Sequence, residues 1–146
     1  MTALHFQSID QISAQLRDGA VTAVALARAG LDRIEALEPT LNAFISVSAD
    51  LALEQATEAD AEIKAGRWRG PLHGVPVAVK DLLVTAGLRT TFASRAYADT
   101  VTDYDATVVA RLKAAGAVLV GKTNLSEGAA DSSCQSSAFG GPCNPW

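Results

Sequence analysis

The sequence predicts an α/β fold in which helices flank a mixed, largely parallel sheet. Three observations carry this. Amphipathic helical stretches alternate with short apolar runs along the chain. The helical pattern from Asp105 to Ala115 stops at Gly116 and gives way directly to Ala117-Val118-Leu119-Val120, and a helix that feeds straight into a strand is the unit of parallel α/β sheets. The run Val75-Pro76-Val77-Ala78-Val79 is apolar throughout, carries three β-branched residues and is bounded by turn residues, which predicts a strand covered on both faces.

The elements follow in order. Ser8-Ile9-Asp10-Gln11 fits a capping box and Gly19 a C-terminal stop, giving a first helix over Ile9 to Asp18. Thr22 is the candidate N-cap of a second helix whose Val24, Ala27, Leu31, Ile34 and Leu37 recur at three- and four-residue intervals, with Pro39 ending the pattern. Ala43-Phe44-Ile45-Ser46-Val47 reads as a short extended piece. Leu51 to Ala65 is a third helix with Leu53, Ala56 and Ile63 on one side and Gly66 as its stop, and Arg67 to Gly74 is a connecting loop. Thr85 to Thr102 has Gly87, several threonines and few periodic apolar residues, so it reads as irregular crossing structure. Asp105 is the expected cap of the helix that follows. Asn124-Leu125-Ser126-Glu127 predicts the start of another short helix, and from Ser132 onward the chain is a Ser-, Gly-, Cys- and Pro-rich loop. No internal repeat and no shift in composition marks a domain boundary, so residues 1–146 read as part of a single domain.

At 146 residues with 49% hydrophobic content, the chain can bury a core. The net charge of -4 comes from interspersed acidic and basic residues, with no basic stripe to follow a phosphate backbone and no polybasic tail for a lipid surface. Direct nucleic-acid binding and membrane association are therefore not expected. Asp10, Arg17 and Asp18 interrupt the first twenty residues, which rules out a signal peptide or a membrane span there and makes the cytoplasm the expected location. Cys134 and Cys143, with eight residues between them, match no zinc pattern and read as free thiols. His5 and His73 are too few for a zinc cluster or a Ser-His-Asp set, and His73 reads as a turn-shaping residue.

Lys80 continues the apolar strand directly. A buried ammonium is costly unless it is paired or loses its proton, and a neutral lysine amine is a competent base, so this lysine could run hydrolysis without histidine. The bland alternative is a lysine that snorkels to water or pairs with a carboxylate at the strand end. Asp81, next along an extended backbone, points to the opposite face and reads as a structural hydrogen-bond acceptor. Lys122, expected just past a strand end, reads as a partner in an ion pair or a carbonyl contact. Gly116-Ala117-Val118-Leu119-Val120-Gly121-Lys122-Thr123 satisfies the phosphate-loop pattern, but a helix precedes its first glycine and its middle residues form a strand, so its N–H groups are committed to a sheet.

The segment Gly70-Pro71-Leu72-His73-Gly74-Val75-Pro76-Val77-Ala78-Val79-Lys80-Asp81 resembles the entry motif of the amidase signature family, hydrolases that cleave amide bonds with a Ser, cis-Ser, Lys triad. Leu41-Asn42-Ala43-Phe44, Ala59-Asp60, Ala115-Gly116-Ala117 and Gly121-Lys122-Thr123-Asn124-Leu125-Ser126-Glu127 resemble further blocks in the family's order, so the resemblance covers nearly the whole chain. The chain departs from the pattern at Leu82 and Gly128, where the family usually has asparagine and an aromatic residue. The resemblance implies an α/β/α sandwich, of which these residues supply the N-terminal part. It also implies a small-molecule amide substrate and a mechanism needing no metal or organic cofactor. Lys80 is the one triad member that carries over, because the family's cis-serine loop and nucleophile turn follow the block that Asn144-Pro145-Trp146 matches. Ser132 and Ser133 resemble the loop bordering the substrate pocket, not the nucleophile. The expected function is thus an amidase inactive without its serines. The alternatives are a non-catalytic protein associating through an unpaired sheet edge, or the corresponding part of the amidase-like subunit of a tRNA-dependent amidotransferase.

Overall fold

A computed structural model describes residues 4–146. After a 3₁₀ turn at Leu4–Phe6, the chain forms α1 (Ile9–Arg17), α2 (Ala23–Leu41), β1 (Phe44–Val47), α3 (Ala49–Lys64), β2 (Pro76–Lys80), α4 (Thr107–Ala114) and β3 (Val118–Thr123), with further 3₁₀ turns at Arg95–Tyr97 and Glu127–Ala129. The helix ends follow from sequence. Ser8 and Gln11 close the capping box of α1 in both directions. The Thr22 hydroxyl accepts from Ala25 N–H, while the Asp60 carboxylate reaches back from α3 to accept from Ala23 and Val24 N–H at 2.6 and 3.2 Å. A carboxylate at a helix N-terminus satisfies donors the helix leaves orphaned and complements its dipole. At the other end of α3, Gly66 N–H bonds Ile63 O and Arg67 N–H bonds Glu62 O, a Schellman closure that α4 repeats through Gly116 and Ala117.

The strands form one sheet in the order β1-β3-β2. β1 is antiparallel to β3, with Phe44 opposite Thr123, Ser46 opposite Lys122 and Val47 opposite Gly121, and an irregularity between Phe44 and Ser46. β2 runs in the same direction as β3, since Val118 N–H bonds Val75 O and Asp81 N–H bonds Thr123 O. Gly121 is required by the approach of β1: a Cβ there would lie 2.4 Å from Ser46 O. The sheet is therefore mixed, as expected for an α/β chain.

The described residues group into two compact units. The first takes the N-terminal part up to Ile34 together with Ala49–Val77 and Arg111–Val120. Its core is built on small residues: Ala23 and Ala27 of α2 and Ala52, Ala56 and Ala59 of α3 are buried with Leu16, Leu26 and Val75. The second unit takes Glu35–Ser48, Ala78–Ala110 and Gly121–Trp146. Its interior holds Val79, Ala93, Val109 and Leu125, but also Asp81, Thr85, Thr90, Thr91, Lys122 and Ser126.

Four expectations are corrected. Pro39 does not end α2, which runs on to Leu41. A proline within the final turn removes only its own bond, Asn42 N–H still reaches Glu38 O, and Asn42 at φ 46° then stops the helix in the left-handed region. α4 starts at Thr107, beyond Asp105, whose carboxylate accepts from Ala86 N–H at 2.7 Å. β3 extends through Lys122 and Thr123, so Lys122 lies inside a strand and not past its end. β2 is not covered on both faces: Val79 is buried while Ala78 and Lys80 are exposed.

Candidate active site

Alternation along β2 separates Lys80 from Asp81. Val79 and Asp81 are fully or nearly fully buried, whereas Lys80 projects from the other face, where the described residues offer no cover. Among the described residues the Lys80 side chain has no hydrogen bond or ion pair, so it is not the buried lysine that the apolar run implied. Its backbone is nevertheless held, with its carbonyl accepting from Leu83 N–H at 2.9 Å.

The buried lysine is Lys122. Its ammonium donates to Leu83 O at 2.8 Å and Thr90 Oγ1 at 2.6 Å, and lies 3.5 Å from Asp81 Oδ1. Both the ion pair and the carbonyl contact read from the sequence are present. Burial pushes the Lys122 ammonium below its ordinary pKa, against the opposing charge of Asp81. With its head sealed from water and turned onto Leu83 O, Thr90 and Asp81, Lys122 is not available to a second molecule. Asp81 is the structural acceptor expected of it, its Oδ2 taking Thr91 N–H at 2.9 Å and Thr91 Oγ1–H at 2.5 Å.

The loop after β3 is organised by its own polar groups. Asp131 accepts from Ser133 N–H and Oγ–H, Cys134 N–H and Ser136 Oγ–H, and the serine hydroxyls hold its carboxyl at about 2. Ser132 and Ser133 are exposed on this loop. Asn124 Nδ2 donates to Asn42 O and Gly140 O, tying the loop to the end of α2.

In the first unit His73 is buried in the turn it shapes, its own N–H bonding Gly70 O. Its Nδ1 accepts from Arg69 N–H at 3.2 Å, which leaves the proton on Nε2, 3.1 Å from Glu62 Oε2. Glu62 also forks onto Arg69 at 2.6 and 2.7 Å. These groups line a cavity of about 160 Å³ with Gln55, Glu58 and Lys113. Sequence reasoning found His73 but neither of its partners, nor Thr90 and Thr91, which sit in the stretch that reads as irregular.

With the fold and the free lysine at the end of β2 in place, the class follows: residues 25–146 match the Amidase family, and the chain belongs to it. The proteins it is similar to include amidotransferase subunits and hydrolases. The A-type subunit of glutamyl-tRNA(Gln) amidotransferase from Heliobacterium modesticaldum is 50% identical over 86% of this chain and 26% of its own length. Its counterpart from Chloroflexus aurantiacus is 47% identical over 100% of this chain and 30% of its own length. Among solved structures, the native peptide amidase of Stenotrophomonas maltophilia is 42% identical with a TM-score of 0.79, over 84% of this chain and 25% of that one. The 6-aminohexanoate cyclic dimer hydrolase, solved with its substrate, is 28% identical with a TM-score of 0.85, over 99% of this chain and 29% of that one. The chain thus spans less than a third of the length of each of these relatives. No described helix is long and apolar enough to cross a membrane.

Proposed function

We propose that this chain is the lysine-bearing, N-terminal part of a single-domain cytoplasmic enzyme that cleaves carbon–nitrogen amide bonds, with Lys80 as the base. In this reading Lys80 accepts a proton from a cis-serine, which relays one from the nucleophilic serine attacking the amide carbonyl, both serines being supplied by chain outside residues 1–146. The observation that carries it is the contrast between the lysines at the ends of β2 and β3. Lys122 is enclosed, hydrogen-bonded to Leu83 O and Thr90 and ion-paired with Asp81, while Lys80, inside the Gly70–Asp81 motif, has no side-chain partner among the described residues and is open to one. Bringing chain over the exposed face of Ala78 and Lys80 would supply the low-dielectric surroundings that favour the neutral amine. No cofactor enters this chemistry. The test is ammonia release from benzamide, a peptide amide and glutamine by the complete enzyme. Lys80→Ala is expected to abolish it, and full retained activity would remove the role.

A second reading is favoured by the identities of 50% and 47% to amidotransferase subunits, higher than the 42% to the peptide amidase. The enzyme would then take its ammonia from glutamine and pass it to an acceptor. Ammonia release from glutamine but not benzamide, with a requirement for partner subunits, would select this reading over a free-standing amidase.

A further inference from the structure

The least expected feature of the second unit is how firmly the backbone around an exposed lysine is held from the buried side of the sheet. Lys80 O is bonded by Leu83 N–H, and Leu83 O in turn by the Lys122 ammonium, so the turn after β2 is closed from inside. Asp81 is fixed at every polar atom but one: its N–H bonds Thr123 O, its carbonyl accepts from Phe92 N–H, and its Oδ2 takes both donors of Thr91. The remaining atom, Oδ1, has no hydrogen bond among the described residues and lies 3.5 Å from the Lys122 ammonium. Lys122, Asp81, Thr90 and Thr91 are all fully buried.

The same cluster leads to the serine-rich loop. Thr91 Oγ1 accepts from Ala93 N–H, and Phe92 and Ala93 are consecutive non-glycine residues at φ 53° and 55°. Two such residues in the left-handed region are costly and persist only where their surroundings over-determine them. The reason they are tolerated is visible in what their carbonyls do: Phe92 O accepts from Gly128 N–H at 2.8 Å and Ala93 O from Ala138 N–H at 2.9 Å. The strained pair thus turns its carbonyls towards the loop that carries Ser132 and Ser133.

A buried ion pair is a poor source of net stability, and its best-attested use is to specify one arrangement over others. We propose that the Lys122–Asp81–Thr91 cluster is a positioning device, setting the backbone of Lys80 in register with the loop over residues 126–138. The proposal rests on Lys80 being the base. Asp81, Thr91 and Lys122 touch no substrate in it; they act through the end of β2 and through Phe92 and Ala93.

The test compares kcat, KM and the pH dependence of kcat in the complete enzyme for Lys80→Ala, Asp81→Asn, Thr91→Val and Thr91→Ser, using whichever of benzamide, glutamine or a peptide amide the wild type hydrolyses fastest. Asp81→Asn and Thr91→Val are expected to lower kcat by about 10²-fold, the effect of misplacing a reacting group by about 1 Å, with KM little changed and the acid limb of the kcat profile displaced. Thr91→Ser, which keeps the hydroxyl, should restore most of kcat. Wild-type kcat and pH profile in Asp81→Asn and Thr91→Val, beside an inactive Lys80→Ala, would overturn the positioning role and leave the base standing. Full activity in Lys80→Ala, or no hydrolysis of any of the three amides by the wild type, would overturn both. Should these variants fail to fold, Thr90→Val removes one acceptor from Lys122 alone. A loss of activity there that follows melting temperature, with the pH profile unmoved, would mark the cluster as merely structural.

Discussion

Each unit of the molecule buries one titratable side chain against a carboxylate, and the two do so in opposite ways. Around Lys122 every member is sealed, with Asp81, Thr90 and Thr91 all fully buried. Around His73 only the imidazole is sealed, since the side chains of Glu62, Arg69 and Glu58 are 14%, 36% and 67% exposed. The difference decides what each can tolerate. Water can solvate whatever is left behind at the His73 rim, whereas nothing can replace a lost partner of Lys122. Removing one member of a buried pair costs about 3–5 kcal/mol, against about 0–1 kcal/mol for pairs at a surface.

The largest expected effect therefore falls on the sealed cluster. Lys122→Ala should strand the Asp81 carboxylate without its counter-charge and lower stability by about 3–5 kcal/mol, read as a shift of the urea midpoint at constant slope. Replacing the pair together, as Lys122→Met with Asp81→Leu, should recover a large part of that loss, because no charge is then left buried. A Lys122→Ala loss no larger than that of Arg69→Ala would break the contrast between the clusters. The next effect lies at the open cluster but on its backbone. Gly116 ends α4 at φ +79°, and a Cβ there would sit 2.4 Å from His73 Cδ2 and 3.2 Å from Arg69 Cδ. Gly116→Ala should cost about 1–3 kcal/mol from the left-handed conformation, with the clash added. An unchanged midpoint would show that the imidazole can move aside.

The same contrast explains how much was legible beforehand. The opposite orientation of Lys80 and Asp81, and the ion pair of Lys122, follow from the two-residue period of a strand and from the cost of an unpaired buried charge, so sequence was enough. What misled was the apolar run from Val75 to Val79. Apolar side chains on both faces register only that a strand tolerates cover, and here Val79 finds it while Ala78 does not. Thr90 and Thr91 carried no signal, because a pair of threonines in an aperiodic stretch reads as a turn. Their value comes from Lys122 and Asp81, 32 and 10 residues away along the chain. Glu62 and Arg69 were missed for the related reason that charged residues on a helix and its following loop usually face water.

The smallest expected effect sharpens the comparison through pH. Burial pushes His73 below its ordinary value of 6.5, with Glu62 pulling the other way and Arg69 adding to the depression. The folded chain then binds this proton less readily than the unfolded chain. Between the folded pKa and 6.5 the unfolded state carries the extra proton, so stability rises with pH through that window, is complete above it, and is lost as pH falls. Glu62 is also lowered, chiefly by its hydrogen bond to Arg69, but from 4.5, so its contribution is lost only at more acid pH. Unfolding midpoints from about pH 5 to 7 should therefore slope upward in the wild type. In His73→Gln, which keeps a polar side chain but cannot titrate, that slope should flatten while the midpoint above pH 7 changes less. An equal slope in both proteins would place the group that titrates in this range elsewhere and overturn its assignment to His73.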